Sequence, residues 1–420
     1  MMQLVRGFRD ILPQDISVWQ EIEETTKKHF ENFGFAEIRP PVVEQSELFS
    51  RSIGDMTDIV EKEMFTFPGS RGKMISLRPE ATASVVRAYI QHHLYAQDPV
   101  RKLYTIGPMF RRERPQKGRY RQFYQINAEL FGEKSPYADA RLICMAWTLF
   151  EKLSVSGLML HLNSLGCPEC RPGFRDALHS VISEKKELLC ADCRRRMDKN
   201  PMRVLDCKVP GCREALASAP KMADFLCHEC KDHFARVTGA LKDMNIPFEI
   251  DPRLVRGLDY YTRTAFEVQT DALGAQNAVA GGGRYDGLVK ALGGPDTPAI
   301  GFAVGMDRLV EVITASRDVS LHGPDLFVAL IGESAVKLGS KWACGLSTAG
   351  IKTETDFTSK SLKALMRRAG RLGASYVLIA GDNELASGEA ILRNMKAKTQ
   401  TPVPLTELVE SVATLLKNRE

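Results

Sequence analysis

The chain lacks several features that would assign it to a common class of protein. Over 420 residues, no apolar run reaches the 18 or more residues of a membrane span, and the opening "MMQLVRGFRDILPQD" has no secretion-signal pattern. The sequence also has no GxxxxGK[ST] phosphate loop, no GxGxxG dinucleotide fingerprint and no recognisable Ser-His-Asp or Cys-His nucleophile arrangement. These absences predict a cytoplasmic protein with no membrane partner, in which any ATP is held by arginines and a sheet.

The bulk composition is that of an ordinary globular protein and does not select a chemistry. Hydrophobic residues make up 44% and charged residues 26% of the chain, which excludes disordered and fibrous classes. A formal net charge of +5 permits a polyanionic partner without requiring one. At about 100–200 residues per domain, the length predicts two to four domains.

Hydrophobic periodicity divides the chain into three regions. Residues 1–322 are predicted to form an α+β domain built on an antiparallel sheet, beginning with an amphipathic helix from Ile16 to Phe33. A shift in composition over residues 166–240 predicts a helical, cysteine-rich insertion within it. Residues 325–420 alternate short buried strands with helices, which predicts a small α/β domain with a mostly parallel sheet.

Within the first domain, alternating segments predict two strand pairs. "RKLYTIGPMF" and "RQFYQINAELFG" form one antiparallel pair, and "IVEKEMFTF" and "MISLRPE" form the other. The first pair is connected by "RRERPQKGRY", whose crowded cations suit either a phosphate-binding site or a solvated surface hairpin. Together with the first residue of the return strand, the cations are Arg111, Arg112, Arg114, Lys117, Arg119 and Arg121.

The start of this loop and the strand after it carry complementary chemistry. Arg111 offers a planar guanidinium that matches phosphate oxygens and keeps its charge. Gln125 and Glu129 lie four residues apart on the return strand and therefore share a face, where they provide acceptors for an ammonium group or a ring N–H. We therefore expect a small cationic group to bind beside the phosphates.

Two later segments contain further candidate binding residues. In "VRGLDYYTRTAFEV", Arg256 provides a fixed cation, and Tyr260 and Tyr261 are predicted to point to opposite faces of a strand, so that one of them reaches a ligand. The alternative is an arginine cap beside two packed tyrosines. In "AGGGRYDGLV" the glycine triplet 281–283 allows close backbone approach by a ligand or forms a plain bulge, and Arg308 lies early in a following helix.

The order and content of these segments resemble the class II aminoacyl-tRNA synthetases, and specifically the histidyl-tRNA synthetase family. The resemblance rests on "GPMFRRERPQKGRYRQF", "VRGLDYYTRTAFE", "GGGRYDGLV" and "IGFAVGMDRL", and it extends from "RGFRDILP" to the C-terminal α/β domain. It implies ATP-dependent ligation of L-histidine to tRNA(His) through a histidyl-adenylate, with Mg²⁺ accompanying the ATP. It also implies anticodon binding by the C-terminal domain and a homodimer formed partly through the strand around Pro41.

The resemblance also implies roles for individual residues. Arg111, Arg256 and Arg308 are expected to be catalytic, and Arg111, Glu113 and Arg308 are expected to bind ATP. The tRNA acceptor end is expected to meet Arg114, Gln116, Lys117 and Arg119. The residues expected to bind histidine are Glu80, Thr82, Arg111, Gln125, Glu129, Arg256, Tyr260 and Tyr261.

The insertion contains eight of the ten cysteines as four spaced pairs, a pattern that many members of the family lack. Three CxxC pairs and one CxxxxC pair predict up to two structural zinc sites, although the sequence does not reveal which pairs combine. His228 or His233 could replace a thiolate, and packed thiols without metal are the alternative. The candidate zinc ligands are Cys167, Cys170, Cys190, Cys193, Cys207, Cys212, Cys227 and Cys230.

Two other functions remain open from the sequence. A non-catalytic regulatory paralogue of ATP phosphoribosyltransferase shares the catalytic fold, but it would usually lack the C-terminal domain and several of the motif residues. A zinc-dependent nucleic-acid-binding protein would explain the cysteines and the basic loop. It would leave Glu80, Gln125, Glu129 and the tyrosine pair unexplained.

Overall fold

The computed structural model describes residues 2–54, 57–116, 118–272, 277–317, 323–358 and 361–417. It forms two compact units, Met1–Val319 and Ser320–Glu420. The predicted boundary between residues 322 and 325 lies partly outside the described residues. Among the described helices, none combines the length and the apolar character needed to cross a bilayer.

The first unit contains the following elements in chain order. Its helices are α1 (Pro13–Asn32), α2 (Ser46–Ile53), α3 (Thr82–Gln91), α4 (Leu94–Gln97), α5 (Pro136–Lys152), α6 (Arg171–Glu184), α7 (Ala191–Lys199), α8 (Pro210–Ala215), α9 (His228–Asp243), α10 (Leu288–Ala291) and α11 (Met306–Ser316). Its strands are β1 (Ala36–Glu37), β2 (Val43–Gln45), β3 (Phe65–Pro68), β4 (Met74–Leu77), β5 (Arg101–Phe110), β6 (Gln122–Phe131), β7 (Leu158–Ser164), β8 (Phe248–Ile250), β9 (Thr262–Thr270), β10 (Ala278–Arg284) and β11 (Ala299–Gly305).

An eight-stranded sheet forms the centre of this unit, in the order β1-β5-β6-β11-β10-β9-β7-β8. The pairs from β5 to β7 are antiparallel, and only the two edge strands β1 and β8 pair in parallel. The predicted β5–β6 pair is confirmed, with Gly107 opposite Gln125. The antiparallel α+β fold with a helical insertion is therefore confirmed.

Helices cover one face of this sheet and bury its largest core cluster. Trp19 of α1, Phe150 of α5, Val237 of α9 and Leu309 of α11 pack there against sheet residues such as Phe266. Helix α1 begins three residues earlier than predicted because Pro13 is well suited to the first turn of a helix. With this face occupied, a ligand site must lie elsewhere on the sheet.

A second, smaller sheet has the order β2-β4-β3, and its strand β3 is shorter than predicted. "IVEKEMFTF" was predicted to be one strand, but Ile59–Glu63 forms a π-helical turn and the strand begins only at Phe65. Ile59 and Met64, five residues apart, both join the cluster around Phe49, and an i-to-i+5 turn places them on one side.

The insertion is helical, as predicted, and includes short 3₁₀ turns at Lys186–Leu188, Pro201–Val204 and Met222–Phe225 between its helices. Five of its cysteines are buried among apolar residues such as Phe174 and Leu178. Helix α9 leads from the insertion back to the central sheet.

The second unit is a mixed α/β domain. It contains β12 (Leu326–Leu330), α12 (Glu333–Thr348), β13 (Thr353–Thr355), α13 (Leu362–Leu372), β14 (Tyr376–Ala380), α14 (Asp382–Ser387), β15 (Glu389–Asn394), β16 (Gln400–Pro404) and α15 (Leu408–Lys417). Strands β13, β12 and β14 are parallel, whereas β15 and β16 continue the sheet antiparallel to β14 and to each other. The prediction of a mostly parallel sheet was therefore wrong for the half of the sheet that contains β15 and β16.

Candidate active site

A cavity of about 260 Å³ lies on the central sheet, away from the helix-covered face. Strands β6, β9, β10 and β11, the start of α11 and the loop after β5 form its walls. Most residues selected from the sequence line it, namely Glu80, Thr82, Arg111, Glu113, Arg119, Gln125, Arg256, Tyr260, Tyr261 and Arg308. Segments far apart in the chain therefore converge on one site.

Arg111 is held in a fixed orientation at the cavity wall. Its Nε donates to the carbonyl of Pro79 at 2.9 Å, and its guanidinium lies 5.2 Å from the ring centroid of Phe123. One terminal nitrogen is 3.8 Å from Glu113 Oε1, which leaves its remaining donors for a ligand. This geometry is suitable for phosphate oxygens.

Arg256 lines the same cavity from the irregular segment before β9. Its Nη1 donates to Glu267 Oε2 at 2.7 Å, and its Nε has no hydrogen-bond partner among the residues that the structure describes. A Cβ at Gly281 would lie 2.3 Å from Arg256 Nη2, so the first glycine of the triplet makes room for this guanidinium. Gly282 and Gly283 instead pack against neighbouring strands, which explains why the backbone at these two positions is not open to a ligand.

Arg308 completes a cationic wall at the beginning of α11. Its Nη1 donates to the carbonyl of Ala278 at 2.7 Å, and burial lowers the pKa of its guanidinium. The preceding Asp307 accepts from Arg9 at 2.7 Å and from the backbone N–H of Tyr124 at 2.7 Å. These contacts fix the start of α11 and, with it, the position of Arg308.

Glu80, Thr82 and Glu129 form a connected chain at the floor of the site. Glu80 accepts from the backbone N–H groups of Thr82 and Ala83 at 2.7 and 2.8 Å, so it caps the first turn of α3. Thr82 Oγ1 donates to Glu129 Oε1 at 2.7 Å, and the hydroxyl of Tyr285 donates to the other carboxylate oxygen. Glu129 thus lies beneath the cavity surface, whereas Gln125 of the same strand faces the cavity.

Burial raises the pKa of Glu129 to about 8, against the opposing effect of the Thr82 and Tyr285 hydrogen bonds. At pH 7.5 this carboxyl is mostly protonated in the free protein, and a cation bound above it would favour ionisation. We expect histidine binding at pH 7.5 to release a large fraction of one proton. Calorimetric titrations in two buffers of different ionisation enthalpy measure this release.

The same calorimetric measurement on the Glu129→Gln variant provides the control. The substitution removes the Glu129 carboxyl, whereas the protonation of free histidine is the same in both experiments. Equal proton release by both proteins would contradict the assignment of the release to Glu129.

Two acceptors on β6 face the cavity without an internal partner. Gln125 Oε1 and Asn127 Oδ1 are buried, and neither has a hydrogen-bond partner within the described part of the chain. A buried polar atom of this kind is normally satisfied, so the pair indicates a ligand with N–H donors. Asn127 was not predicted as a site residue, although the period of two from Gln125 places it on the same face.

Tyr260 and Tyr261 contradict the prediction that only one tyrosine faces the ligand. Strand β9 begins at Thr262, so the strict alternation of a strand does not apply to the pair. Their ring centroids are 4.6 Å apart, and both side chains line the cavity. Burial raises the pKa of Tyr260 well above its ordinary value, so its hydroxyl stays protonated at neutral pH.

The basic loop separates into cavity-facing and exposed side chains. Arg119 turns inward, with Nε 2.5 Å from Glu113 Oε2, and it lines the cavity. Arg114 and Gln116 are exposed, and Lys117 lies outside the described residues. Arg114 and Gln116 therefore face the solvent outside the cavity.

The cysteines of the insertion gather into two groups of four. One contains Cys167, Cys170, Cys227 and Cys230, and the other contains Cys190, Cys193, Cys207 and Cys212; the sulfur atoms in each lie within 4.8 Å of one another. Zn–S bonds of about 2.3 Å in a tetrahedron set sulfur atoms about 3.8 Å apart. The distances from Cys167 Sγ to Cys170 Sγ and Cys227 Sγ are 3.4 and 3.9 Å, so the donor set fits zinc.

His233 does not belong to either sulfur group. Its Nε2 lies 2.8 Å from Asp139 Oδ2, in a buried network that also contains Thr264 and Arg284. The alternative in which His233 replaces a thiolate is therefore wrong, and His228 is likewise outside both groups. The histidine instead ties helix α9 to the central sheet.

Comparisons with known proteins agree over the whole chain. A family model described as histidyl-tRNA synthetase matches residues 7–309, and one described as an anticodon binding domain matches residues 325–415. A histidine–tRNA ligase of Desulfatibacillum aliphaticivorans is 58% identical over 99% of this chain and 99% of its own. The corresponding ligase of Desulforapulum autotrophicum is 57% identical over 100% and 99%.

The fold has a similar solved relative. The crystal structure of apo histidyl-tRNA synthetase from S. aureus matches with a TM-score of 0.83 at 34% identity, covering 98% of this chain and 100% of that one.

Proposed function

The chain belongs to the histidyl-tRNA synthetase family and ligates L-histidine to tRNA(His), and we propose from its cavity how the residues carry out the reaction. ATP, histidine and tRNA are the substrates, and class II synthetases generally use ATP together with Mg²⁺. The observation that carries the proposal is one cavity lined both by Arg111, Arg256 and Arg308 and by the unpaired acceptors of Gln125 and Asn127. Such a site suits a phosphate beside a small cationic molecule.

We propose that histidine binds on the Gln125 side of the cavity. The acceptors Gln125 and Asn127 provide partners for its α-ammonium and ring N–H groups, and Tyr260 and Tyr261 enclose the imidazole. Glu80, Thr82 and Glu129 support this wall from below through their hydrogen bonds. This arrangement leaves the histidine carboxylate directed towards the arginines.

ATP is proposed to occupy the arginine side of the cavity. The histidine carboxylate attacks the α-phosphorus, and pyrophosphate leaves. Arg111 and Arg256 offset the charge that builds up on the phosphoryl oxygens, and Arg308 and Glu113 hold the nucleotide. Positioning and electrostatics are sufficient for this step, so the protein needs no nucleophile of its own.

The transfer step is proposed to use the exposed side of the same site. A terminal ribose hydroxyl of the tRNA attacks the carbonyl of the histidyl-adenylate and releases AMP. Arg114 and Gln116 are exposed on the loop that also carries the cavity-lining Glu113 and Arg119, and phosphate contacts by them would add affinity. Lys117 and the half-buried Arg119 belong to the same proposed acceptor-end contact.

In the second unit, residues 360–398 contain eight Lys or Arg against three acids, which suits binding of the anticodon arm.

The test of the proposed site is exchange of labelled pyrophosphate into ATP with each of the twenty amino acids. Exchange is expected with histidine alone. A folded, Mg²⁺-supplied protein that exchanges with other amino acids equally well would contradict the proposed histidine pocket.

The alternatives left by the sequence have less support. The ligase name of the relatives that match from end to end disfavours the regulatory subunit of ATP phosphoribosyltransferase. The same ligase-named relatives disfavour a binding protein without chemistry.

We propose that each group of four cysteines in the insertion holds a structural zinc ion. The support is the sulfur geometry, together with N–H donation from Cys227 to Cys170 Sγ and from Cys190 to Cys212 Sγ, both at 3.1 Å. Zinc at these sites would stabilise the insertion without entering the reaction, because the eight sulfurs do not line the catalytic cavity.

We expect two zinc ions per chain by elemental analysis of the purified protein, one for each group. Cys230→Ser should reduce the content to one because it removes a buried ligand of the first group. Cys344→Ser changes an exposed cysteine outside both groups and should leave two. Equal zinc content in all three proteins, or none in the wild type, would contradict the proposal.

Two further proposals concern assembly and location. We propose a homodimer that involves the segment around Pro41, since β2 lies at the edge of its sheet and Val43 is exposed there. Sedimentation velocity at micromolar concentration distinguishes a dimer from a monomer.

We also propose a cytoplasmic location, where ATP and tRNA are available and the ten unpaired thiols stay reduced. Cell fractionation tests it.

A further inference from the structure

Side chains of the insertion hold backbone groups of the segment that carries Arg256 and Tyr261. This segment runs from residue 251 to residue 261 as irregular backbone between β8 and β9. Arg203, in the 3₁₀ turn Pro201–Val204, donates to the carbonyl of Arg256 at 3.0 Å. Arg171, the first residue of α6, donates to the carbonyl of Tyr261. Both backbone groups next to the cavity-lining side chains are therefore held by the insertion.

Three more contacts add to this support. Asn200 Nδ2 donates to Asp259 Oδ1 at 2.7 Å. A Cβ at Gly257 would lie 3.1 Å from Arg203 Nη1, so the guanidinium lies directly against the backbone of the segment. Arg171 also donates to the carbonyl of Leu165 at 3.2 Å, which connects the segment to the end of β7.

The arginines lie behind the cavity wall. A second cavity of about 230 Å³, lined by Arg171, Arg175 and Arg203, shares Arg256 and Tyr261 with the catalytic cavity. Arg171 and Arg203 do not line the catalytic cavity, but both donate to backbone carbonyls of the segment.

We propose that Arg203 and Arg171 are positioning residues of the insertion that hold the Arg256–Tyr261 segment in its productive geometry. The proposal rests on the catalytic role given above to Arg256. Without Arg203, the carbonyl of Arg256 loses its donor and the segment can shift, which moves the guanidinium away from the reacting phosphate. A displacement of about 1 Å can reduce a rate about 100-fold.

The test is a double-mutant cycle in the pyrophosphate exchange assay. Arg203→Ala is expected to reduce kcat/KM for histidine between about tenfold and 100-fold. On an Arg256→Lys background, where the guanidinium is already absent, Arg203→Ala should reduce kcat/KM by less than about twofold. Such non-additivity is typical of residues that act together. Arg203→Lys, which keeps one donor, should recover part of the activity. The melting temperature is measured for every variant.

Arg253→Ala provides the matched control. Arg253 lies in the same segment and donates to the insertion carbonyls of Arg213 and Leu216 at 3.3 and 3.5 Å, away from the catalytic side chains. Near wild-type kcat/KM in Arg253→Ala would support the proposal. Equal losses in Arg253→Ala and Arg203→Ala, additive losses on both backgrounds, or an unchanged Arg203→Ala would overturn it. An Arg256→Lys protein with full activity would instead contradict the catalytic role of Arg256.

Discussion

Replacing Arg256 with histidine is expected to reduce histidine-dependent pyrophosphate exchange by about 10²- to 10³-fold, the usual cost of removing one preorganised donor to a developing anion. The guanidinium is fixed by Glu267 at 2.7 Å and by the clearance at Gly281. An imidazole is shorter and mostly neutral at pH 8, so it supplies neither the reach nor the charge. Exchange rates at saturating ATP over a range of histidine concentrations measure the loss.

Arg253→His is the matched control for this substitution. It makes the same chemical change three residues earlier, at a side chain that does not line the cavity. It should retain exchange close to that of the wild type. An Arg256→His protein that exchanges at the wild-type rate would show that Arg111 and Arg308 alone provide the electrostatic stabilisation.

The sequence predicted the individual cavity residues better than their mutual arrangement. Period-two alternation placed Gln125 and Glu129 on one face of β6, and this is correct because β6 is a regular strand. It did not reveal that Tyr285 lies beneath Glu129, since that contact joins residues 156 positions apart. Only the family resemblance brought Arg111 and Arg256 into one site before the sheet order was known.

Errors occurred where local pattern and tertiary packing disagree. Strand β16 has no clear strand signal in the sequence because its five residues include Pro402 and Pro404, which are depleted in strands and tolerated here at a sheet edge. The cysteine spacing predicted two four-sulfur groups but not their nested order, because the pairing depends on how the insertion helices fold back. The tyrosine pair was misread because Tyr260 and Tyr261 lie in irregular backbone and β9 begins only at Thr262.

Asp139→Asn is expected to lower the free energy of unfolding by about 3–5 kcal/mol, the usual cost of leaving a buried charge without its partner. Asp139 and Arg284 are both almost completely buried, and the carboxylate also accepts from His233 and from Thr264 Oγ1 at 2.6 Å. An asparagine keeps the shape but removes the charge opposite Arg284. Because His233 lies on α9, the loss should loosen the insertion as well as the sheet. Urea denaturation followed by circular dichroism measures it.

The acid side of the stability profile gives an independent check of the same network. Burial alone would raise the pKa of Asp139, but the His233 hydrogen bond and the charge of Arg284 hold it below the ordinary value of 3.8. A lowered pKa contributes stability that is present above the unfolded-state value and is lost as the pH falls through the folded-state value. The free energy of unfolding of Asp139→Asn should therefore fall less steeply in acid than that of the wild type.

The Asp286→Asn variant is the control that distinguishes the loss of a buried charge from the loss of any ion pair to Arg284. Asp286 also pairs with Arg284, at 3.0 Å, but its side chain is 34% exposed, so its loss should cost much less. If both substitutions destabilise the protein equally, the cost comes from the loss of an ion pair to Arg284 and does not depend on the burial of the carboxylate. If only Asp139→Asn is severe, the buried carboxylate is the group through which α5, α9 and the strands β9 and β10 are held together.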